Sequence, residues 1–332
     1  MTLLDSQWLA LTEEDPLETG LEICDPHHHH WDRADSRYMR EELAEDLSGH
    51  RVAKTVFVEC GSNYFSTGPE SLRPVGETVF VQAIADQGLA GTEADGLNAG
   101  IVGHANLLLG DAVDEVLEAH LDASPDRFRG IRHSAAWHES SEIRPSHSNP
   151  PAHMLSLASF RSGLSRLSRY GLSFDAWLFH TQLGELHDLA RQDSDTVIIL
   201  NHMGGPLGIG PFAGRRAEVF SEWKHQMALL SECENVVVKL GGLQMAISGF
   251  GWHRQARPPT SLELQAELEP YYLHCIEQFG VDRCMFESNF PVDKASCSYT
   301  VLWNFFKRMT HGFSESERKA LFCKTAERVY RI

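Results

Sequence analysis

Short apolar, β-branched runs recur along the chain, many of them followed by a segment of helical period. This alternation restricts the fold more than any other feature of the sequence. The candidate strands are Leu21–Asp25, Lys54–Cys60, Ala99–Asn106, Phe128–Ser134, Leu172–Phe179, Thr196–Asn201, Asn235–Gly241 and Arg283–Ser288. Short, largely apolar runs are how strands covered on both faces read. Between them, Gly110–Ala123, Thr181–Arg191, Arg216–Glu234 and Ser261–Gly280 carry apolar residues at helical spacing with charges between. Strands alternating with helices predict an α/β fold. The expected architecture is a (β/α)8 TIM barrel, one domain over residues 21–332 after an acidic N-terminal extension, 1–20. A doubly wound open sheet has the same periodicity. The polar, proline-bearing stretch 139–151 reads as a long loop of the kind that surrounds a barrel's active site.

Charge narrows the partners. The chain has 29 basic and 46 acidic residues, a net charge of −17, which disfavours phosphate backbones and anionic lipid. Nucleic-acid and membrane partners are therefore not expected, and a small-molecule substrate is; a homo-oligomer is compatible with the sequence. No apolar run approaches the ~20 residues of a membrane span. Residues 1–20 hold five acidic side chains and no basic one, unlike a secretory signal. The seven cysteines are odd in number, and no two are spaced as a zinc or redox pair, which points to a reducing cytoplasm.

Four consecutive histidines follow the first strand in Asp25-Pro26-His27-His28-His29-His30-Trp31. Side chains alternate along a strand, so His27 and His29 share one face with Asp25, and His28 and His30 take the other. Two imidazoles at i and i+2 on a barrel's inner rim can share one divalent metal; a pair of packed core histidines is the competing reading. Glu59 ends an apolar strand, where burial is costly unless the carboxylate is paired. Arg132 and His133 end another, and an arginine at a barrel mouth can grip a carboxylate or lactone oxygen. Trp31 and Trp137, among other aromatics near strand ends, are placed to wall an apolar pocket. No glycine-rich phosphate loop and no Gly-x-Ser-x-Gly elbow is present, so the dehydrogenase and serine-hydrolase readings lack support.

The Asp25–Trp31 segment resembles the strand-1 HxH signature of the amidohydrolase superfamily, in its amidohydrolase-2 branch of lactonases and metal-dependent decarboxylases. Val197–Pro206 is similar to that branch's strand-6 "DHxGxP", Val236–Leu243 to its strand-7 "vKlSGl", and Arg283–Pro291 to its strand-8 "rlmfGSDwP". The resemblance implies one divalent metal, zinc or manganese, on His27 and His29, with His180 as a third ligand, and an acid/base role for His202. Strand 8 departs from the pattern. The family aspartate is Asn289, which cannot take a proton as a carboxylate does. The usual glycine two residues earlier is Glu287, which would supply the missing carboxylate or form an ion pair with Lys239 or Arg132. Asp293 is a third candidate.

The function this implies is metal-assisted hydrolysis of a small cyclic ester or related C–O or C–N bond, with Arg132, Glu59, Trp137 and Trp31 around the substrate and His202, Glu287 and Asn289 doing the chemistry. Asn289 leaves a metal-independent mechanism open. The alternatives are non-oxidative decarboxylation of an aromatic or unsaturated acid, and a catalytically impaired ligand-binding barrel.

Overall fold

The computed structural model describes residues 6–34, 36–89, 92 and 96–332. Eight parallel strands follow one another around a single sheet: β1 (Glu22–His28), β2 (Arg51–Val58), β3 (Gly100–Gly103), β4 (Phe128–Ile131), β5 (Ser173–Ala176), β6 (Ile198–Leu200), β7 (Val236–Leu240) and β8 (Cys284–Phe286). The ring meets at a parallel bridge between His28 and Phe290, reinforced by Asn289 N–H to His27 O at 2.9 Å and His29 N–H to Phe290 O at 2.8 Å. A helix lies between each strand and the next: α1 (Arg40–Leu47), α2 (Val75–Ala85), α3 (Asp114–Ala123), α4 (Ala158–Arg169), α5 (Leu183–Gln192), α6 (Arg216–Ser231) and α7 (Ser261–Phe279); α8 (Tyr299–Met309) follows β8. This is the (β/α)8 barrel that the alternation predicts, not the open sheet. Most strands are shorter than their apolar runs, because the backbone leaves the ladder early to form the mouth.

Period-two alternation sorts each strand into an outer and an inner face. Ile198 and Leu200, Val236, Val238 and Leu240, and Cys284 and Phe286 face outward into the helix layer. Val56, Val58, Val102, Ile199, Val237 and Met285 face inward and form a separate cluster with Cys323, Ala326, Val329 and Tyr330. The C-terminal helix (Thr325–Tyr330) therefore fills the barrel's interior from its floor. On the same alternation Asp175, Lys239, Glu287 and Arg132 fall on inner faces, and each is buried.

At the mouth, Ala136, Ile143, Phe179 and Leu207 form a third cluster with Trp177, Ile209, Phe212 and Ile247 packed on it, so the loops after β4 to β7 cover the centre with apolar side chains. The 139–151 stretch is the expected loop, and Ile143 is its buried anchor. Within the acidic N-terminal stretch, Thr12 and Glu14 are tied to α8 and to the start of α7. Thr12 Oγ donates to Pro258 O at 2.7 Å, and Glu14 accepts from Ser261 N–H at 2.7 Å and Asn304 Nδ2 at 2.9 Å. All seven cysteines are free thiols, and among the described residues no helix is long and apolar enough to cross a membrane.

Candidate active site

Residue 287 is the centre of the arrangement. Glu287 Oε1 accepts from His202 Nδ1 at 2.6 Å and from the His202 backbone N–H at 3.1 Å. Its Oε2 lies 2.7 Å from His27 Nδ1, off the line of any N–H, and has no hydrogen-bond donor. The His27 and His202 rings stand 4.6 Å apart, and all three side chains are buried. Glu287 pairs with neither Lys239 nor Arg132: Lys239 is held by Asp175 at 2.8 Å, and Arg132 by Glu59 at 2.7 Å.

The glycine pair on the loop after β7 explains how so much fits. A Cβ at Gly241 would lie 2.4 Å from Glu287 Cγ, and one at Gly242 would lie 2.5 Å from the His202 ring. Gly242 also has φ of +74°, where a side chain is strained. Gly242→Ala is expected to lower kcat about a hundredfold, the scale set by an ångström of misplacement. Steady-state kinetics beside a melting curve checks this; wild-type kcat in a folded Gly242→Ala protein would refute it.

His27 lies between two cations. Lys239 Nζ is 3.3 Å from its Nδ1 and Arg132 Nη1 is 3.2 Å from its Nε2. Burial, then Lys239, then its histidine neighbours hold the His27 pKa well below the ordinary value, so the ring is neutral. Arg132 is fixed by Glu59, which takes Nε on its carboxylate and Nη2 on its backbone carbonyl, leaving Nη1 to face His27. Glu59 also accepts from His147 Nε2 at 2.9 Å. Burial alone would raise the Glu59 pKa; Arg132 and His147 overcome it and hold the carboxyl well below its usual range.

The other expected residues fall as follows. His29 is on the His27 side, its ring 5.0 Å away and its Nδ1 2.7 Å from Val58 O. His28 and His30 take the opposite side, against Thr55 and Phe57. At the mouth, the potential metal ligands that lie within 4.8 Å of one another are His27, His202 and Glu287; His29 and His180 are not part of this group. His180 lies apart, where Nδ1 accepts from Leu207 N–H at 3.2 Å, the ring faces Phe212, and burial pushes its pKa down to about 4. Asn289 leaves the face of Glu287 because β8 ends at Phe286 and its own φ is +57°; its Nδ2 donates to Asp293 Oδ1 at 2.9 Å. Trp31 stacks on His29 with its Nε1 donating to Ser36 Oγ, and Trp137 stands against His153. Trp177, another of the aromatics near strand ends, forms a wall 4.8 Å from the His202 ring.

Sequence reasoning passed over Asp175 and His147, and read Lys239 only as a partner for Glu287. The signal for two of them was present: Lys239 interrupts an otherwise apolar strand, and Asp175 is a charged residue in the middle of a buried one. His147 sits in a polar loop and carried no signal. A separate cavity of about 520 Å³ is lined in part by Tyr64, Arg73, His104, His133 and Asn149; His104 Nδ1 lies 3.1 Å from the Arg132 backbone carbonyl, and neither Arg132 nor His202 lines it.

Comparison with known proteins gives the family. The Amidohydro_2 family, described as amidohydrolase, matches residues 24–332. An uncharacterized protein, y4mH, of Sinorhizobium fredii is 33% identical over 95% of this chain and 100% of its own. An L-fucono-1,5-lactonase of Burkholderia multivorans is 26% identical over 53% of this chain and 56% of its own length. Among solved structures, a Burkholderia multivorans amidohydrolase with bound zinc superposes with a TM-score of 0.71 at 21% identity, covering 93% of this chain and 99% of the other. The chain belongs to the Amidohydro_2 family of amidohydrolases.

Proposed function

We propose that the protein hydrolyses a small cyclic ester, a sugar-acid lactone, using His202 as the proton carrier. One observation carries this reading: His202 donates Nδ1–H to Glu287 at 2.6 Å. That bond fixes the tautomer with a basic Nε2 and orients the ring, the division of labour between base and orienting carboxylate in acyl transfer. His202 Nε2 takes a proton from water as the water oxygen bonds to the lactone carbonyl carbon. The C–O bond to the ring oxygen then breaks, and the same proton passes to that oxygen, leaving the open hydroxy acid. Arg132 Nη1, held by Glu59, stabilises the oxyanion of the tetrahedral intermediate. The lactonase relative supports that class of substrate.

His27, His202 and Glu287 fit a divalent cation: two imidazoles and a carboxylate converge, and Glu287 Oε2 is a buried oxygen without a donor. Zinc or manganese bound there would polarise the carbonyl and lower the pKa of water, with His202 Nε2 then serving as a ligand in place of carrying the proton. The second reading is metal-independent. It is favoured by the two cations, Lys239 and Arg132, that already address both nitrogens of His27.

The test is proton release from a panel of five- and six-membered sugar-acid lactones, with carbon dioxide release from aromatic acids measured in parallel. Proton release is expected. Carbon dioxide release alone would establish a decarboxylase, and ligand binding without turnover an impaired barrel. Activity lost to a chelator and restored by zinc or manganese selects the metal-assisted version; activity unchanged after verified stripping selects the other.

A further inference from the structure

We propose that the cavity between the loops after β2, β3 and β4 is a second ligand site, which takes a small polyhydroxylated molecule of the sugar class by clamping one hydroxyl between His104 and His133. It lies outside the centre of His27, His202 and Glu287 and does not rest on the reaction assigned there.

The backbone sets the two imidazoles in opposite tautomers. His104 Nδ1 is 3.1 Å from the carbonyl oxygen of Arg132. A carbonyl only accepts, so this nitrogen carries the proton and Nε2 holds a lone pair. His133 Nδ1 accepts from the Leu107 backbone N–H at 3.2 Å. An amide N–H only donates, so here Nδ1 is bare and the proton sits on Nε2. Burial keeps both rings neutral: it pushes the His133 pKa down to about 3, and holds that of His104 below its ordinary value against the pull of Glu59. The rings stand edge to face with centroids 5.1 Å apart. Among the described residues neither Nε2 has a hydrogen-bond partner, nor is either one of the buried atoms left without one, so each opens to the cavity that both rings line.

A bare nitrogen beside an N–H selects its ligand. A carboxylate has no proton to give His104, and an ammonium has no lone pair to offer His133. A hydroxyl does both from a single atom, donating to His104 Nε2 and accepting from His133 Nε2–H. The rest of the wall suits a molecule with several hydroxyls on an apolar ring: Asn149 offers a further amide and Leu109 an apolar surface. Glu70 and Arg73 also line the cavity, and their opposite charges favour a neutral sugar over its acid. The volume, about 520 Å³, is that of a small-molecule pocket. The link to the reaction centre is through main chain, because the carbonyl held by His104 belongs to Arg132.

The experiment reads the two rings directly. Nitrogen-15 correlation spectra of histidine-labelled protein, assigned by the signals lost in His104→Phe and His133→Phe, are expected to show Nδ1–H in His104 and Nε2–H in His133. Titration with glucose, galactose and xylose is expected to shift the Nε2 signals of both rings saturably. Tetrahydropyran, the same kind of ring without hydroxyls, is expected to shift neither. By calorimetry, His104→Phe and His133→Phe each weaken sugar binding about tenfold, the scale of one hydrogen bond. His104 is only partly buried, so its variant serves should His133→Phe fold poorly. Binding is expected to persist in His202→Ala. No saturable shift with any of the sugars, or affinity unchanged in a folded His104→Phe protein, overturns the proposal, and loss of binding in His202→Ala overturns the separateness of the site. Gluconate binding more tightly than glucose, with the difference abolished in Arg73→Ala, upholds the site and assigns it to sugar acids.

Discussion

His202→Ala is expected to lower kcat by about a thousandfold while leaving KM and the melting temperature close to wild type, within the range for a positioned general acid or base. The imidazole caps no core: its Nδ1 is spent on Glu287, and its neighbours are the His27 and Trp177 rings. Truncation therefore removes the proton carrier and leaves the apolar layers intact. The pH dependence follows from the same surroundings. Burial pushes the His202 pKa down, and Glu287 pulls it partly back, so that the net shift is below 6.5. The base is neutral from that value upward and is lost as pH falls through its lowered pKa. The acid limb of kcat is thus expected below pH 6.5. Glu287→Gln, which removes the upward pull, moves that limb lower still. A limb at or above 6.5, or a His202→Ala protein with near-native kcat, would sink the assignment.

The double replacement of His27 and His29 by alanine is expected to abolish turnover and any bound metal together. His27 is one of the converging donors, and His29 stands beside it on the first strand. In the metal-independent version the same change removes the nitrogen facing Arg132, so turnover still disappears, but no difference in metal content accompanies it. Elemental analysis of wild type and variant beside an activity assay separates the two. A folded double variant that keeps both activity and metal would refute the assignment of this centre to the first strand.

Much of the architecture was legible because it is carried by a repeated local pattern. Each strand announces itself by burial on two faces, and the His27–His29 pair by alternation at a strand end. His202 was legible from its place between a buried run and Gly-Gly-Pro. What escaped depends on backbone direction after a strand stops. Alternation puts 287 and 289 on one face, but the positive φ at Asn289 turns its amide toward Asp293. His180 ends its apolar run as a ligand might, yet the loop carries it to Phe212. Pairings such as Glu59–Arg132 and Lys239–Asp175 bring together residues 73 and 64 positions apart, and no local pattern encodes which opposite charge each will meet.

The glycine at 241 bears on which side chain position 287 accepts. The strand-7 pattern this chain resembles has serine there, and its strand-8 pattern has glycine where Glu287 stands. A Cβ at 241 would overlap the glutamate. Positions 241 and 287 are therefore sterically coupled across neighbouring strands: the acid fits at 287 because 241 carries no side chain.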